Sequence, residues 1–492
     1  MTIFRKCIYL FLIFEPIFCA NNKFPDDFLF GVASSAYQIE GGYDSRGKTT
    51  FDHHWELNSS MVSDSSNAKI ACDSYHQYQK DIELLSYLGV DFYRFSISWA
   101  RILPNGFPNK INPDGIRYYN ALIDGLLAKN IQPMVTMFHF DLPKPLQDLG
   151  GWTNPIIADL FEEYARILFK NFGDRVKYWI TINSNTWGYG DSDWPPMVDQ
   201  SGFGDYLAIK NTILGHAKVY HLAKGEFREQ EAQIGFVVDG RWYEPGSEST
   251  QDRDAAERAR DFNVGLWLNP IYGSGDFPQI VKERVKLTSE KEGFAKSRLP
   301  QFTADEIKFV KNSFDFLGVN IYTSFLVKDV DEQNDKEFSW DKDVKAGVYQ
   351  DVKWEGAKSD WLKVTPWGVR KILSWIKQKY DNPPIFITEN GFSDAGEIED
   401  LERVNFMKLY LKALLEAIDR DGVNVKGYAA WSLLDNFEWL VGYTEKFGLY
   451  HVDFADPGRR RTPKTSSKWY KKLIERRQLD ETIPSDTYKT EL

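Results

Sequence analysis

The sequence predicts an α/β fold, a closed (β/α)8 barrel (TIM barrel) that forms a single domain. Eight short β-branched or aromatic runs alternate with longer helical patterns, which is the order expected of a parallel barrel. No repeat and no low-complexity linker divides the chain. The chain of 492 residues is long for one domain, but barrels of this type routinely exceed the usual domain length.

Each of the eight predicted strands is a short apolar run between turn residues. They are Phe28–Ser34, Asp91–Ile97, Gln132–Phe138, Val176–Ile182, Ile234–Asp239, Asp315–Ile321, Pro384–Thr388 and Gly427–Trp431. A helix is predicted between the third and fourth strands, because Thr153 or Asn154 can cap it and Pro155 suits its first turn. An apolar stripe from Ile157 to Leu168 follows, and the helix should end before Gly173.

Polar or aromatic residues close the predicted strands or follow them. Catalytic groups of a parallel barrel lie where the strands end at the carboxyl face. The candidates for chemistry are therefore Gln38, Arg94, His139, Asn183, Asn320, Glu389 and Trp431.

Composition limits the function classes. Hydrophobic residues make up 42% of the chain and charged residues 27%, as in a soluble globular protein. The net charge of −11 argues against a nucleic-acid partner. Aromatic residues reach 15%, which suits a cleft that stacks sugar faces on rings. No metal-ligand cluster and no phosphate-cradling glycine loop is evident in the sequence, so we expect a small-molecule partner and no cofactor or metal.

The N-terminus has the pattern of a secretory signal peptide. Arg5 and Lys6 precede an apolar stretch, Cys7–Phe14, that is too short to span a bilayer, and Ala20 suits cleavage. We therefore expect residues 1–20 to be removed, residues 21–492 to form the barrel domain, and the protein to be secreted. Asn58 begins an N-glycosylation sequon. The C-terminal Lys489–Leu492 is a loose relative of the KDEL signal, and such a match arises easily by chance.

Hydrolysis of a glycosidic bond with retention needs two carboxyl groups, one attacking the anomeric carbon and one protonating the leaving oxygen. Glu389 comes directly after the apolar run Ile385–Thr388. A structural carboxylate would have no obvious partner there, which favours a functional role for Glu389 over a loop-capping role.

Five segments carry a resemblance to one family, in that family's order. They are Phe30–Gly41, Tyr93–Trp99, Asp315–Thr323, Ile387–Gly391 and Trp431–Trp439. Through them the chain resembles the family-one glycoside hydrolases, the β-glucosidase and myrosinase group, along nearly all of its mature length. The resemblance implies a retaining glycosidase that works through a covalent glycosyl-enzyme intermediate.

The resemblance also implies roles for individual residues. Glu389 matches the nucleophile, and Arg94 and Tyr322 match the neighbours that hold it ionised, since a nearby cation lowers the pKa of a carboxyl. The positions that match the family's sugar-binding residues or lie with them at the strand ends are Gln38, His139, Asn183, Asn320, Trp431, Glu438 and Trp439. Trp361 matches a position along the aglycone cleft.

Two departures from the family pattern alter this expectation. Where the family reads Thr-Phe-Asn-Glu-Pro, the chain reads Thr181–Asn185 with Ser184 in place of the general acid/base glutamate. An aliphatic hydroxyl is too weak an acid for efficient proton transfer near neutral pH. Phe140 also stands where the family usually has tryptophan, and we expect it to change packing at the cleft floor.

Loss of the acid predicts an enzyme for aglycones that leave as stable anions. Plant myrosinases of this family also lack the acid, so we predict a myrosinase-like thioglucosidase that hydrolyses glucosinolates. Deglycosylation then needs another group or a small anion to activate water. Three alternatives stay open: an O-β-glucosidase with a compensating acid such as Asp191 or Asp193, a catalytically impaired glucoside-binding protein, and a transglycosidase. The sequence leaves the oligomeric state undefined.

Overall fold

The computed structural model describes residues 22–184, 187–330 and 338–480. The predicted signal peptide and the Lys489–Leu492 tail lie outside the described residues, so both remain predictions. Asn58 is exposed, and its Oδ1 accepts hydrogen bonds from the Ser60 backbone N–H at 3.2 Å and the Ser60 hydroxyl at 2.7 Å.

Eight parallel strands close into a barrel, which confirms the predicted fold class. The strands are β1 (Leu29–Ala33), β2 (Phe92–Ser96), β3 (Gln132–Phe138), β4 (Tyr178–Asn183), β5 (Gln233–Asp239), β7 (Phe316–Asn320), β10 (Ile385–Asn390) and β11 (Val425–Trp431). In spatial order the barrel runs β1-β11-β10-β7-β5-β4-β3-β2, and β2 pairs with β1 to close it.

Five further strands lie outside the barrel. A three-stranded sheet holds β6 (Trp242–Pro245), β8 (Ser324–Asp329) and β9 (Ala346–Tyr349), and a two-stranded sheet holds β12 (Tyr450–Val452) and β13 (Arg461–Pro463). The three-stranded sheet follows β5 and β7 in the chain, so it lies on the loops at the carboxyl face of the barrel.

The helices pack around the strands. They are α1 (Ala36–Ile39), α2 (Thr50–Leu57), α3 (Ser74–Leu88), α4 (Trp99–Ile102), α5 (Pro113–Ala128), α6 (Lys144–Asp148), α7 (Ile156–Phe172), α8 (Trp187–Gly190), α9 (Gly204–Lys224), α10 (Thr250–Arg260), α11 (Leu266–Tyr272), α12 (Gln279–Lys291), α13 (Ala304–Val310), α14 (Trp340–Val344), α15 (Trp367–Lys379), α16 (Leu401–Asp419) and α17 (Thr465–Arg476). Within the described residues no helix combines the length and the apolar character needed to cross a membrane.

The predicted helix after β3 is α7, and its ends show how local sequence sets it. It begins at Ile156, whose backbone N–H donates to the Asn154 side chain at 3.2 Å, and it ends at Phe172, directly before Gly173. Pro155 directly precedes the first helical residue. The stripe from Ile157 to Leu168 packs inward, which covers the barrel.

Aromatic rings fill the barrel below its carboxyl face. Phe386 meets Phe92, Tyr178 and Phe316 at ring-centroid distances of 6.1, 5.6 and 5.4 Å. Glycines on neighbouring strands make room for these rings: a Cβ on Gly235 would lie 2.3 Å from the Phe316 ring. This packed layer forms a rigid floor beneath the residues that follow each strand.

Candidate active site

Glu389 is the next-to-last residue of β10, at the carboxyl face of the barrel, and 6% of its surface is exposed. The strand runs two residues further than predicted, so the carboxylate projects from a rigid strand. Arg94 Nη1 lies 2.5 Å from Glu389 Oε1, and the Tyr322 hydroxyl donates to Glu389 Oε2 at 2.8 Å. The three residues that the sequence associates with the nucleophile are therefore in direct contact.

A hydrogen-bonded network holds this group in place. Arg94 Nη2 donates to Asn183 Oδ1 at 2.7 Å, and Asn320 Nδ2 donates to the same oxygen at 3.0 Å. The Thr388 hydroxyl donates to Asn320 Oδ1 at 2.7 Å. Side chains from β2, β4, β7 and β10 are thereby linked, so each residue's orientation depends on the others.

Opposing effects set the charge of Glu389. Burial raises the pKa of its carboxyl, whereas the Arg94 cation and the Tyr322 hydrogen bond lower it. We expected the cation to dominate. The direction of its effect agrees, but burial outweighs it and the net pKa of Glu389 is raised. Burial and the charge of Glu389 also raise the pKa of Tyr322, which keeps the phenol protonated as a donor.

The residues that match the family's sugar-binding positions form a second group beside Glu389. Gln38 Nε2 donates to Glu438 Oε2 at 3.2 Å, and the Ser35 hydroxyl orients Gln38 by donating to its Oε1 at 2.7 Å. One end of the barrel brings together the predicted residues Gln38, His139, Asn183, Asn320, Trp431, Glu438 and Trp439. All of them except Glu438 are buried.

His139 lies between two indole rings and is a neutral imidazole. Its ring is nearly parallel to those of Trp431 and Trp439, at centroid distances of 6.0 and 6.1 Å. Burial, and to a lesser extent the Arg94 charge, lower the pKa of His139 well below its usual value. A neutral imidazole offers one donor and one acceptor. Its buried Nδ1 has no hydrogen-bond partner among the described residues, so a hydroxyl-rich ligand would suit this ring.

Phe140, the second departure from the family pattern, contributes to the same aromatic group. Its ring lies 5.4 Å from Trp439 and 6.5 Å from Trp194. Its backbone φ of 72° is in the left-handed region, which is uncommon for an aromatic residue. Phe140 therefore packs against Trp439.

Glu438 carries a strongly perturbed carboxyl. Burial, together with the charges of Glu445 and Glu389, raises its pKa from 4.5 to about 8. The folded protein thus holds a proton here that the unfolded chain releases above pH 4.5. Stability should fall as pH rises through this window and level off above about 8.

Glu438→Gln tests this charge balance. An amide does not ionise, so the variant avoids the free-energy cost of a buried charge at this position. It is expected to melt a few degrees above the wild type at pH 8, with a smaller difference at pH 5. Thermal unfolding at the two pH values measures it, with Asp193→Asn as a control on the exposed surface. An equal shift at both pH values would show that the ionisation of Glu438 is not responsible.

Ser184 lies at the end of β4 and borders a cavity of about 520 Å³. Its backbone N–H donates to Val237 O at 3.1 Å, which fixes it against β5. Asp191 lines the same cavity, whereas Asp193 is exposed and outside it. Of the two acids considered as substitutes for the missing glutamate, only Asp191 lines the cavity that Ser184 borders.

Charged residues around this cavity are mostly acidic. The described lining residues include one cation, Arg241, and the aspartates Asp191, Asp199, Asp205, Asp239 and Asp341. Arg241 Nε lies 2.7 Å from Asp239 Oδ2. Burial raises the pKa of Asp205 to about 7, so this group is partly protonated near neutral pH.

Trp361 is an exposed aromatic residue that packs against Tyr322. Its ring meets that of Tyr322 edge-on at 5.6 Å, and 43% of its surface is exposed. An exposed indole beside Tyr322, which donates a hydrogen bond to Glu389, is well placed to contact an aglycone.

Sequence reasoning missed two residues of the cavity, Asp239 and Arg241. Asp239 is the last residue of β5, a strand that was correctly predicted. The rule that selected Glu389, a polar residue at the end of a barrel strand, therefore applied to Asp239 as well. Arg241 follows two residues later, and nothing in the sequence alone indicated their ion pair.

Comparison with known proteins agrees with this geometry. Residues 20–479 match the model of glycosyl hydrolase family 1. The chain belongs to glycosyl hydrolase family 1. It is therefore a glycosidase of the retaining β-glucosidase type.

Relatives within this family include a myrosinase and a beta-glucosidase. Myrosinase 1 of Brevicoryne brassicae is 43% identical over 92% of the chain and 99% of its own length. Human cytosolic beta-glucosidase is 41% identical over 93% of the chain and 99% of its own length. A solved structure of aphid myrosinase superposes with a TM-score of 0.89 at 43% identity, covering 93% of the chain and 100% of that structure.

Proposed function

We propose that this glycosidase cleaves β-glucosides whose aglycones depart as stable anions, with Glu389 as the nucleophile and thioglucosides as the first candidate class. The observation that carries the proposal is Ser184 at the end of β4, directly after Asn183, which belongs to the hydrogen-bonded network of Glu389. A serine cannot protonate the leaving group, so bond cleavage must rely on the aglycone's own stability as an anion.

The Glu389 site supports turnover over simple binding. Arg94 and Tyr322 bond its two carboxylate oxygens at 2.5 and 2.8 Å, an arrangement that orients a nucleophile. A protein that merely binds a glucoside has no need for this arrangement. The names of the relatives support both thioglucoside and O-glucoside substrates.

The charge of the cavity bears on the aglycone. A glucosinolate carries a sulfate, and Arg241 is the cation available among the described lining residues. Five aspartates line the same cavity, and those that are ionised repel a sulfate. Within the proposed class, an uncharged aglycone therefore fits the cavity better than a sulfated one.

Parallel assays with salicin, an activated aryl glucoside, an uncharged aryl thioglucoside and sinigrin test the proposal. The activated aryl glucoside and the thioglucoside are expected to have kcat/KM at least about 100-fold above that of salicin, because proton donation contributes roughly this much or more. Equal rates on salicin and the activated glucoside would contradict the proposal.

Salt dependence separates the aglycone charges. Because salt screens repulsion, raising ionic strength is expected to increase kcat/KM for sinigrin and to leave the uncharged thioglucoside unchanged. A decrease for sinigrin would instead show that Arg241 governs its binding. The remaining alternatives appear in the same assay: no glucose release indicates a binding protein, and transfer to an added alcohol indicates a transglycosidase.

A further inference from the structure

We propose that Asp239 is the general base that activates water for release of glucose from the glycosyl-enzyme. The proposal rests on the proposed function, since it assigns the second half of that reaction. It addresses the step for which loss of the β4 glutamate leaves no obvious base.

The strand register places Asp239 and Glu389 at the same level of the barrel, on the two strands that flank β7. Asp239 on β5 and Glu389 on β10 are both paired with Asn320 on β7, from its two sides. Neighbouring strands lie about 4.8 Å apart, so the two Cα atoms are separated by roughly 10 Å at the same level of the barrel. With their Cα atoms that far apart, the two side chains can extend toward the anomeric carbon of a sugar held between them.

The Asp239 side chain reaches the space beside Ser184. Both residues line the same cavity, and the Ser184 N–H bonds Val237, two residues before Asp239 on β5. About a third of the Asp239 side-chain surface, 34%, is exposed. Ser184 is shorter than a glutamate, so water can occupy the position from which the missing carboxyl would have acted.

Arg241 suits Asp239 for accepting a proton. Its guanidinium lies 2.7 Å from Oδ2 and stabilises the carboxylate form. Burial raises the pKa of Asp239, the Arg241 cation opposes that rise, and the net pKa stays above that of a free aspartate. A carboxylate with a raised pKa is a stronger base, which suits Asp239 for taking a proton from water.

The step balances as follows. Asp239 removes one proton from water while the water oxygen forms a bond to the anomeric carbon. The ester bond from that carbon to Glu389 breaks, and its electron pair returns to the Glu389 carboxylate. Glucose leaves, and Asp239 then loses its proton to solvent.

Asp239→Asn tests the assignment in pre-steady-state kinetics with an activated aryl glucoside. We expect a burst of aglycone, then a steady state with kcat reduced by roughly 100-fold, because a general base typically contributes this much. The kcat/KM should stay within about 3-fold, since it reports formation of the ester, which needs no base. Azide should restore kcat and give β-glucosyl azide, because an anion attacks without losing a proton.

Two further variants control the experiment. Asp193→Asn removes an exposed carboxylate from the β4 loop outside the cavity and should retain wild-type kinetics. Asp239→Asn removes the carboxylate from the ion pair with Arg241, so the double variant Asp239→Asn/Arg241→Gln must show the same burst.

Each contrary outcome has a distinct meaning. Unchanged kcat in Asp239→Asn, or equal losses of kcat and kcat/KM without a burst or azide rescue, would overturn the assignment of Asp239. Failure of the wild type to form a covalent glucosyl ester, seen by mass spectrometry, would instead overturn the proposed function.

Discussion

Glu389→Ala is expected to abolish turnover of every glucoside, with kcat falling on the order of 10⁴-fold or more. The substitution removes the oxygen that attacks the anomeric carbon, and Arg94 and Tyr322 lose the group they orient. Steady-state assays with an activated aryl glucoside measure the loss of kcat. A small anion such as azide should occupy the vacated space and restore part of the rate.

The product of that rescue identifies the role of Glu389. An anion that replaces the nucleophile attacks the face opposite the leaving group and gives α-glucosyl azide, whereas rescue of Asp239→Asn should give the β product. Glu389→Gln keeps the shape and is the matched control for folding, and it should be equally inactive. Substantial activity in both variants would mean that another group attacks the sugar.

Ser184→Glu is expected to raise kcat/KM on unactivated O-glucosides such as salicin by roughly 100-fold or more. The new carboxyl would stand at the end of β4, where it can protonate the leaving oxygen. Activated aryl glucosides and glucosinolates should gain much less, because their aglycones leave without a proton. The kcat/KM of the variant on each substrate, divided by the wild-type value, measures the effect.

Ser184→Gln is the control, since it adds the bulk of a glutamate without an acidic proton. It should leave salicin hydrolysis at the wild-type level. If Ser184→Glu raised both substrate classes equally, or neither, the weak-acid explanation of Ser184 would fail.

Most of the fold was predictable because the barrel is specified by local patterns. All eight predicted runs are barrel strands, with end shifts of a few residues, and the signals at Asn154 and Gly173 delimit α7 correctly. Buried parallel strands read as continuous apolar runs, so periodicity locates them well. The short sheet of β6, β8 and β9 was not predicted, because its strands have mixed exposure and weak patterns.

The composition of the candidate site was predictable, but its energetics were not. Residues from distant segments, such as Gln38 and Glu438, meet because parallel strands end at one face. Net pKa directions depend on burial, which sequence does not report, so the raised pKa of Glu389 was missed. The ion pair of Asp239, the last residue of β5, with Arg241 was missed because it depends on side-chain placement, which the sequence does not report. Secretion, glycosylation at Asn58 and the nucleophile role of Glu389 remain predictions.

The dependence of kcat/KM on aglycone acidity tests the central claim most directly. For a series of aryl β-glucosides, the logarithm of wild-type kcat/KM is plotted against the pKa of the free phenol. Without a proton donor, the leaving oxygen bears nearly full negative charge in the transition state, so we predict a steep negative slope that Ser184→Glu flattens. A shallow slope in the wild type would contradict the account, because it would show that some group already protonates the aglycone.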